Sequence, residues 1–124
     1  MAAFAPTVPR IDEPVFLFVA HDQEGSAEVR IRHLDAHLEH MERNFDRYLV
    51  AGPLRDPGTD SIQGSYFLVA AKSADEARAL VGADPYSQRG VYSEIQMHNG
   101  VPAVGRFLGG VIWESADAVR HKAT

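Results

Sequence analysis

The stretch that decides the fold is VFLFVAHDQEGSAEVRIRHLDAHLEHMERNFDRYLVA, residues 15–51. It begins with a nearly continuous apolar run over residues 15–21 that is rich in β-formers, which predicts a buried strand. Ser26 follows a polar turn and can cap a helix, which the spacing predicts over residues 27–45. A second short strand is predicted over residues 48–51. The stretch therefore predicts a strand, a long helix and another strand.

The predicted helix carries two neighbouring stripes of side chains. Because each helical residue advances by about 100°, the histidines His33, His37 and His40 fall within an arc of about 60°. The neighbouring arc is apolar and is expected to face the core; its residues are Ile31, Leu34, Leu38, Met41 and Phe45. The histidines are therefore expected at the edge of the buried face, where a side chain can reach a cleft.

The rest of the chain repeats this alternation of strand and helix. Residues 65–71 predict a third strand, and the capping-box pattern over residues 73–76 opens a second helix. Asp84-Pro85-Tyr86 predicts a further helical turn. Residues 92–98 alternate polar and apolar side chains and predict a fourth strand. The order βαββαβ predicts an α+β fold, a ferredoxin-like plait with an antiparallel sheet and two helices on one face.

The chain of 124 residues is long enough for one sizeable core and not for two. Prolines in residues 1–14 predict an extended N-terminal arm. The plait is expected over residues 15–98, and residues 99–124 form a C-terminal extension. This extension begins with the apolar sequence NGVPAVGRFLGGVIW. It is expected either to pack on a partner subunit or to lie across its own sheet.

Composition argues against several classes of protein. The net charge of -5, without any basic run, argues against nucleic-acid binding. No apolar run reaches the roughly 18 residues of a membrane span, and the start does not resemble a signal peptide. The chain has no cysteine, which removes disulfides and thiol nucleophiles and fits the cytoplasm. We therefore expect a cytoplasmic protein that contacts neither membrane nor nucleic acid.

The helix histidines allow more than one interpretation. His33 and His37 lie four residues apart and could share a metal ion, but no third ligand is indicated, so no metal is expected. A solvated rim accounts equally well for His37 and His40. A proton-transfer role requires a partner, and Asp84 is a candidate. From spacing alone, however, an aspartate before a proline is more typical of a helix N-cap.

Two further side chains are candidates for ligand contact. Ser65 opens the third strand directly after a glycine, where its hydroxyl could meet a ligand, although most serines at such positions have no such role. Tyr86 is expected either in the core or in the wall of a pocket. The sequence pattern alone does not choose between these alternatives.

Five short motifs, taken in order, resemble the YCII (YciI-like) family. They are Arg-x-x-His-Leu at residues 30–34, Ala-Gly-Pro-Leu at 51–54, Gly-Ser at 64–65, Asp-Pro-Tyr at 84–86 and Gly-Val-Tyr at 90–92. The resemblance covers roughly residues 15–98. It implies a ferredoxin-like fold of the dimeric α+β barrel type, a homodimer, and a pocket that holds a histidine and an aspartate. Those two residues fall on His33 and Asp84.

The resemblance, together with the residues, predicts a small enzyme that needs no cofactor. A carboxylate beside an imidazole fixes its tautomer and tunes it for proton transfer. His33 would act as general acid or base and Asp84 would orient it, with Arg30 meeting an anionic substrate. Ser65, Tyr86 and His37 are further candidates for substrate contact. Because the helix carries additional histidines, His37 is also an alternative to His33.

The expected reaction is elimination, isomerisation or hydrolysis of a small carboxylated or lactone-like molecule. One type of YCII member is similar to a chloromuconolactone dehalogenase, whereas most have no assigned reaction. Whether this chain catalyses a reaction therefore stays open at this point. The main alternative is a non-catalytic dimeric module that binds a small molecule or another protein. A weaker alternative is an oxygenase of the dimeric α+β barrel type.

Overall fold

A four-stranded antiparallel sheet forms the centre of the computed structural model, which describes residues 11–123. The strand order is β2-β3-β1-β4, so the first strand lies inside the sheet between the third and the fourth. The strands are β1 (Val15–Asp22), β2 (Tyr48–Arg55), β3 (Ile62–Ala70) and β4 (Tyr92–Gly100). The predicted α+β class, with an antiparallel ferredoxin-like sheet, is confirmed.

Helices connect β1 to β2 and β3 to β4. They are α1 (Ser26–Arg32), α2 (Leu34–Arg43), α3 (Ala74–Gly82) and α4 (Pro85–Gln88). The prediction of one helix over residues 27–45 is wrong, because the chain bends at His33, whose φ is -110° and ψ is 17°. Backbone hydrogen bonds still run from His33 N to Val29 O and from His37 N to His33 O. The two helices therefore follow each other with one irregular residue between them.

The core lies between one face of the sheet and the helices. Because side chains alternate across a strand, Phe16, Phe18 and Ala20 of β1 point to the same face, where Phe18 is paired in register with Phe67 of β3. Apolar residues of α3 pack against this face; they are Ala77, Leu80 and Val81. The period of two in the strands and the helical spacing in α3 thus account for this core.

The apolar stripe of α1 and α2 does not enter the core as predicted. Ile31 is 76% exposed and Phe45 is 74% exposed, and Leu34 and Leu38 are also exposed. Only Met41 of the five packs partly against the core cluster. Ile31, Leu34, Leu38 and Met41 instead border a cavity, so helical spacing identified one common face correctly but assigned it the wrong environment.

The chain divides into two compact units, and the sheet with its four helices belongs to the unit Glu13–Gly100. In the other unit, the short strands β5 (Val104–Gly105) and β6 (Gly110–Val111) pair antiparallel, and α5 (Ala116–Ala123) follows. The N-terminal arm predicted for residues 1–14 falls largely on residues 1–10, which lie outside the described residues. None of the described helices is long and apolar enough to cross a membrane.

Candidate functional site

A cavity of about 730 Å³ opens between α1, α2 and the strands β2 and β3. All of its walls belong to the unit Glu13–Gly100. The apolar walls come from both helices and from the sheet; they are Ile31, Leu34, Leu38, Met41, Ala51, Pro53, Ile62 and Phe67. The polar and charged residues of the walls are Asp22, Ser26, Arg30, His37, Asp60, Ser61, Ser65 and Tyr86. An apolar cavity with a small number of polar groups is typical of a small-molecule site.

His37, on α2, forms a hydrogen-bonded pair with Asp84 at this cavity. His37 Nδ1 lies 2.8 Å from Asp84 Oδ1, and the Asp84 side chain is completely buried. The predicted partner of Asp84 was His33, and this prediction is wrong, because Asp84 Oδ1 is bonded to His37 and no hydrogen bond joins Asp84 Oδ2 to any described residue. His33 lies at the bend, one turn of about 5.4 Å before His37.

Asp84 is also the N-cap of α4, since its Oδ1 accepts a hydrogen bond of 3.0 Å from the backbone N–H of Tyr86. Pro85 occupies the first helical position, where its missing N–H costs nothing. The two roles weighed for Asp84 therefore coexist on one carboxylate. Its other oxygen, Oδ2, is buried without a hydrogen-bond partner among the described residues.

Tyr86 supplies the surface on which the imidazole lies. The His37 and Tyr86 rings stack with centroids 3.8 Å apart and an interplanar angle of 3°. Stacking on one side and the Asp84 hydrogen bond at Nδ1 together fix both the position and the rotation of the ring. If Asp84 accepts the Nδ1 proton, the lone pair of the neutral imidazole lies on Nε2. The pair can therefore present an oriented proton acceptor to the cavity.

Arg30, on α1, lines the same cavity as His37 on α2. Its Nε and Nη2 donate to Asp22 Oδ2 and Oδ1 at 2.9 and 2.8 Å, a two-pronged ion pair. Nη2 also donates to Gly64 O at 3.1 Å and to Ser65 Oγ at 3.0 Å. Burial lowers the pKa of Arg30, but the hydrogen bond and charge of Asp22 outweigh burial and raise it. Arg30 is thus a rigidly held cation with its charge compensated.

Ser65 receives a second hydrogen bond from Tyr92, whose hydroxyl donates to Ser65 Oγ at 2.9 Å. Burial raises the pKa of Tyr92 to about 12, so its hydroxyl keeps the proton that it donates. The Tyr86 hydroxyl donates to the backbone oxygen of Arg30 at 3.0 Å. The structure thus brings together Arg30, Ser65, Tyr86, His37 and Asp84 from the predicted set, whereas His33 is not among the cavity residues.

The YCII-related domain matches residues 15–99, which is more than half of the chain. The chain belongs to the YCII family. The Arg-x-x-His-Leu, Gly-Ser and Asp-Pro-Tyr motifs of this YCII chain contribute Arg30, Ser65, Asp84 and Tyr86 to one site.

Relatives of this YCII chain include the Protein YciI of Escherichia coli O6:H1, which is 32% identical over 90 residues. The match covers 67% of this chain and 92% of the relative, and the Protein YciI of Shigella flexneri matches to the same extent. Among solved structures, the chain is similar to the 5-chloro-2-hydroxyhydroquinone dehydrochlorinase (TftG) of Burkholderia phenoliruptrix AC1100 in complex with 2,5-dihydroxybenzoquinone. The identity is 29%, the TM-score is 0.65, and the match covers 74% of this chain and 96% of that one.

A solvated rim was one of the interpretations open for His40 on the YCII helix, and the structure contradicts it. Its side chain is buried, and Nε2 lies 2.8 Å from the Tyr48 hydroxyl. Burial lowers the pKa of His40 and raises that of Tyr48. Since neither residue lines the cavity, this second histidine pair stabilises the packing of α2 against β2.

Sequence reasoning missed the contribution of Asp22 and Ser26 to the YCII site, whereas Tyr92 had been considered either for the core or for the wall of a pocket. Ser26 was interpreted as the helix cap, but Gly25 occupies that position and Ser26 Oγ donates to Asp22 Oδ2 at 2.8 Å. The sequence contained a signal for this cluster, because Ser26 and Arg30 lie four residues apart on a helix and can reach one acceptor.

Within residues 11–123, no three His, Cys, Asp or Glu side chains are arranged to hold a metal ion. The expectation that the protein works without metal or cofactor stays a prediction.

Proposed function

We propose that this YCII protein is a small enzyme, independent of cofactors, in which His37 transfers a proton during elimination or isomerisation of a small oxygenated organic molecule. The observation that carries the proposal is the 2.8 Å bond between His37 and the buried Asp84 at the wall of the cavity. Such a pair can work as general base and then as general acid without a metal or a nucleophilic side chain.

In the proposed elimination, His37 Nε2 takes a proton from a carbon atom next to a carbonyl group. The electron pair of the broken C–H bond forms a carbon–carbon double bond, and the leaving group departs from the adjacent carbon with its own bonding pair. The imidazolium lies beside the Asp84 carboxylate, which compensates the new positive charge. It then gives its proton to the leaving group or to water, so that the net products are an unsaturated compound and an acid.

Two further arguments support elimination. The dehydrochlorinase that resembles this chain at 29% identity carries the loss of hydrogen chloride in its name. The cavity of about 730 Å³ can hold one ring of the size found in that complex, and its walls are mostly apolar. Lactone-like molecules and hydroxylated rings both fit this description, so the proposal includes both.

The test measures chloride release from 5-chloro-2-hydroxyhydroquinone with the purified protein under nitrogen. The diketo tautomer of this compound has a C–H bond that lies next to a carbonyl group and next to the carbon that carries chlorine, as the proposed step requires. We expect His37→Gln to lower kcat/KM by about 10²–10⁴-fold, the usual contribution of a general base. His33→Gln is the matched control, since His33 lies on the same segment outside the cavity, and it should retain the wild-type rate. Asp84→Asn should also lower kcat, because an amide does not compensate the imidazolium charge.

Two results would contradict the proposal. One is equal activity of His37→Gln and the wild type on a substrate that the protein turns over. The other is tight binding of ring or lactone ligands with no turnover of any of them, which would support the non-catalytic binding module instead. A thermal-shift screen of small metabolites would identify those ligands, because ligand at about 100 times its Kd stabilises a protein by roughly 2.7 kcal/mol.

A further inference from the structure

We infer that the cavity selects ligands that are uncharged at neutral pH and binds their carbonyl or hydroxyl oxygen at Ser65, so that a carboxylate is disfavoured. The inference rests on the proposed function only in placing the reacting ligand between Ser65 and His37. The substrates considered so far include carboxylated molecules and neutral rings. This inference removes the carboxylated molecules and keeps the neutral rings.

The charge of Arg30 is already balanced. Asp22 holds its guanidinium through two hydrogen bonds, and the two side chains are only 12% and 6% exposed. The exposed Asp60 adds a second carboxylate to the cavity wall, and Asp84 lies behind His37. An anionic ligand would therefore enter a site without a cation in excess. Opposite charges buried together leave little attraction for a third charge.

Unlike Arg30, whose charge is already balanced, Ser65 can offer a ligand a hydrogen-bond donor, and its neighbours strengthen that donor. Its Oγ accepts from the Arg30 guanidinium at 3.0 Å and from the Tyr92 hydroxyl at 2.9 Å. A hydroxyl that accepts two bonds still has its own hydrogen to donate, and such chains of donors polarise one another. Ser65 is 5% exposed, and it lines the cavity. Its free hydrogen is thus available to an oxygen atom of a ligand.

Tyr86 connects the part of the site at His37 with the part at Arg30 and Ser65. Its ring stacks on His37 at 3.8 Å, and the Arg30 guanidinium carbon lies 5.2 Å from the centre of the same ring. The proton acceptor at His37 and the donor at Ser65 are therefore held on one rigid frame. Most of the other residues that line the cavity are apolar. A flat neutral ring satisfies this combination, because its carbon surface meets the walls and its oxygen meets Ser65.

The arrangement suits a neutral substrate whose oxygen becomes negative during the reaction. When a proton next to a carbonyl moves to His37 Nε2, the electron pair is shared with the carbonyl oxygen, which then accepts a stronger bond from Ser65. A donor fixed in advance at the place where charge develops stabilises the transition state more than the ground state. A carboxylate, in contrast, already has its negative charge when it binds.

The experiment compares two probes of nearly equal shape, 4-hydroxybenzamide and 4-hydroxybenzoate, by isothermal titration calorimetry at pH 7.5. We expect wild-type protein to bind the amide at least about tenfold more tightly than the carboxylate. Equal or tighter binding of the carboxylate would overturn the inference. Failure of both probes to bind at millimolar concentration would overturn it as well.

Variants then show which residues cause the preference for the amide over the carboxylate. Asp22→Asn leaves the Arg30 charge uncompensated, so the preference for the amide should fall by at least about tenfold. Ser65→Ala should weaken binding of the amide, whereas Ser93→Ala, on the exposed strand β4, should not change it. An unchanged preference in folded Asp22→Asn would contradict the role of the ion pair.

Chloride release separates this inference from the proposed function. His33→Gln, outside the cavity, is the control for binding and should keep the wild-type preference for the amide, because Asp22, Arg30 and Ser65 are intact. Selective binding by a wild-type protein that releases no chloride would refute the proposed function alone. Activity that depends on His37, combined with equal binding of both probes, would refute the selectivity alone.

Discussion

His37 and His40 are neighbours on α2, yet the structure gives them different environments. His37 borders the cavity with its side chain 15% exposed, whereas His40 is buried against Tyr48. His37 bonds to a carboxylate and His40 to a phenol. The first environment suits a group that exchanges protons with a ligand. The second makes His40 a structural group whose protonation opposes folding.

This difference predicts how stability depends on pH. Because burial lowers the pKa of His40 in the folded state, the unfolded chain binds more protons, and the free energy of unfolding falls as pH drops below the ordinary histidine value of about 6.5. The loss levels off below the folded pKa. Urea unfolding at pH 7.5, 6.5 and 5.5 should show a smaller decrease for His40→Gln than for the wild type. The exposed His21→Gln is the control, and an identical slope for all three proteins would contradict the prediction.

At the residue scale, sequence reasoning recovered the residue types of the site and both contacts of Asp84, but it preferred His33 as the partner of Asp84 and kept His37 only as the alternative. His33 and His37 differ by one helical turn, and only the position of α4 against α2 decides which one meets Asp84. That position depends on tertiary packing. The spacing contained one usable signal, because Arg30 and His37 are seven residues apart and share a face of the predicted helix. Both in fact contact the ring of Tyr86.

Among the elements, the pairing of β1 with β3 leaves no room for a side chain at Gly64. A Cβ atom added there would lie 2.1 Å from the backbone oxygen of Ala20. This glycine does not have a positive φ, so close approach rather than backbone conformation requires it. The same residue offers its carbonyl to Arg30. The Gly-Ser pair therefore permits the strand contact and also positions the guanidinium.

We predict that Gly64→Ala destabilises the protein by about 3 kcal/mol, since backbone and not a flexible side chain must move. Gly100→Ala is the matched control, because nothing lies within 4 Å of a Cβ atom added there. The control should change the free energy of unfolding by less than about 1 kcal/mol. Urea denaturation measures both. Similar stabilities of the two variants would show that the strands can separate at little cost.

The antiparallel sheet was predictable because the strands combine β-forming residues with turn signals between them. The bend at His33 was not, since neither glycine nor proline stands there to indicate an interruption. The environment of the apolar stripe on α1 and α2 could not be predicted from the sequence either. Helical spacing shows which residues share a face, but it does not distinguish a core from a cavity wall.

On the scale of the whole molecule, apolar surface remains exposed in both units. Phe107 is 88% exposed and Val101 is 77% exposed in the segment after the sheet. On the sheet, Leu17, Val19 and Leu68 lie on the face opposite the core and are only half-buried. Exposed apolar patches of this kind are frequent at subunit interfaces. The homodimer expected from the sequence therefore stays our prediction.

Light scattering at micromolar concentration should give twice the mass of the chain. Phe107→Asp should shift the equilibrium towards monomer if the segment from Val101 to Trp113 contributes to the interface, because an aspartate is costly to bury without a partner. Val119→Asp, at a half-exposed position on α5, is the control. A monomeric wild type would refute the dimer, and a dimer insensitive to Phe107→Asp would remove only the role proposed for the segment.

The double use of Asp84 has a consequence for how relatives of this chain should be compared. Because one carboxylate both begins α4 and holds the imidazole, selection for a folded chain is expected to preserve it whether or not a relative catalyses a reaction. His37 does not begin a helix in this way. If His37 transfers a proton as we propose, a relative without the reaction is free to replace it, and the histidine rather than the aspartate is the position that distinguishes active relatives from inactive ones.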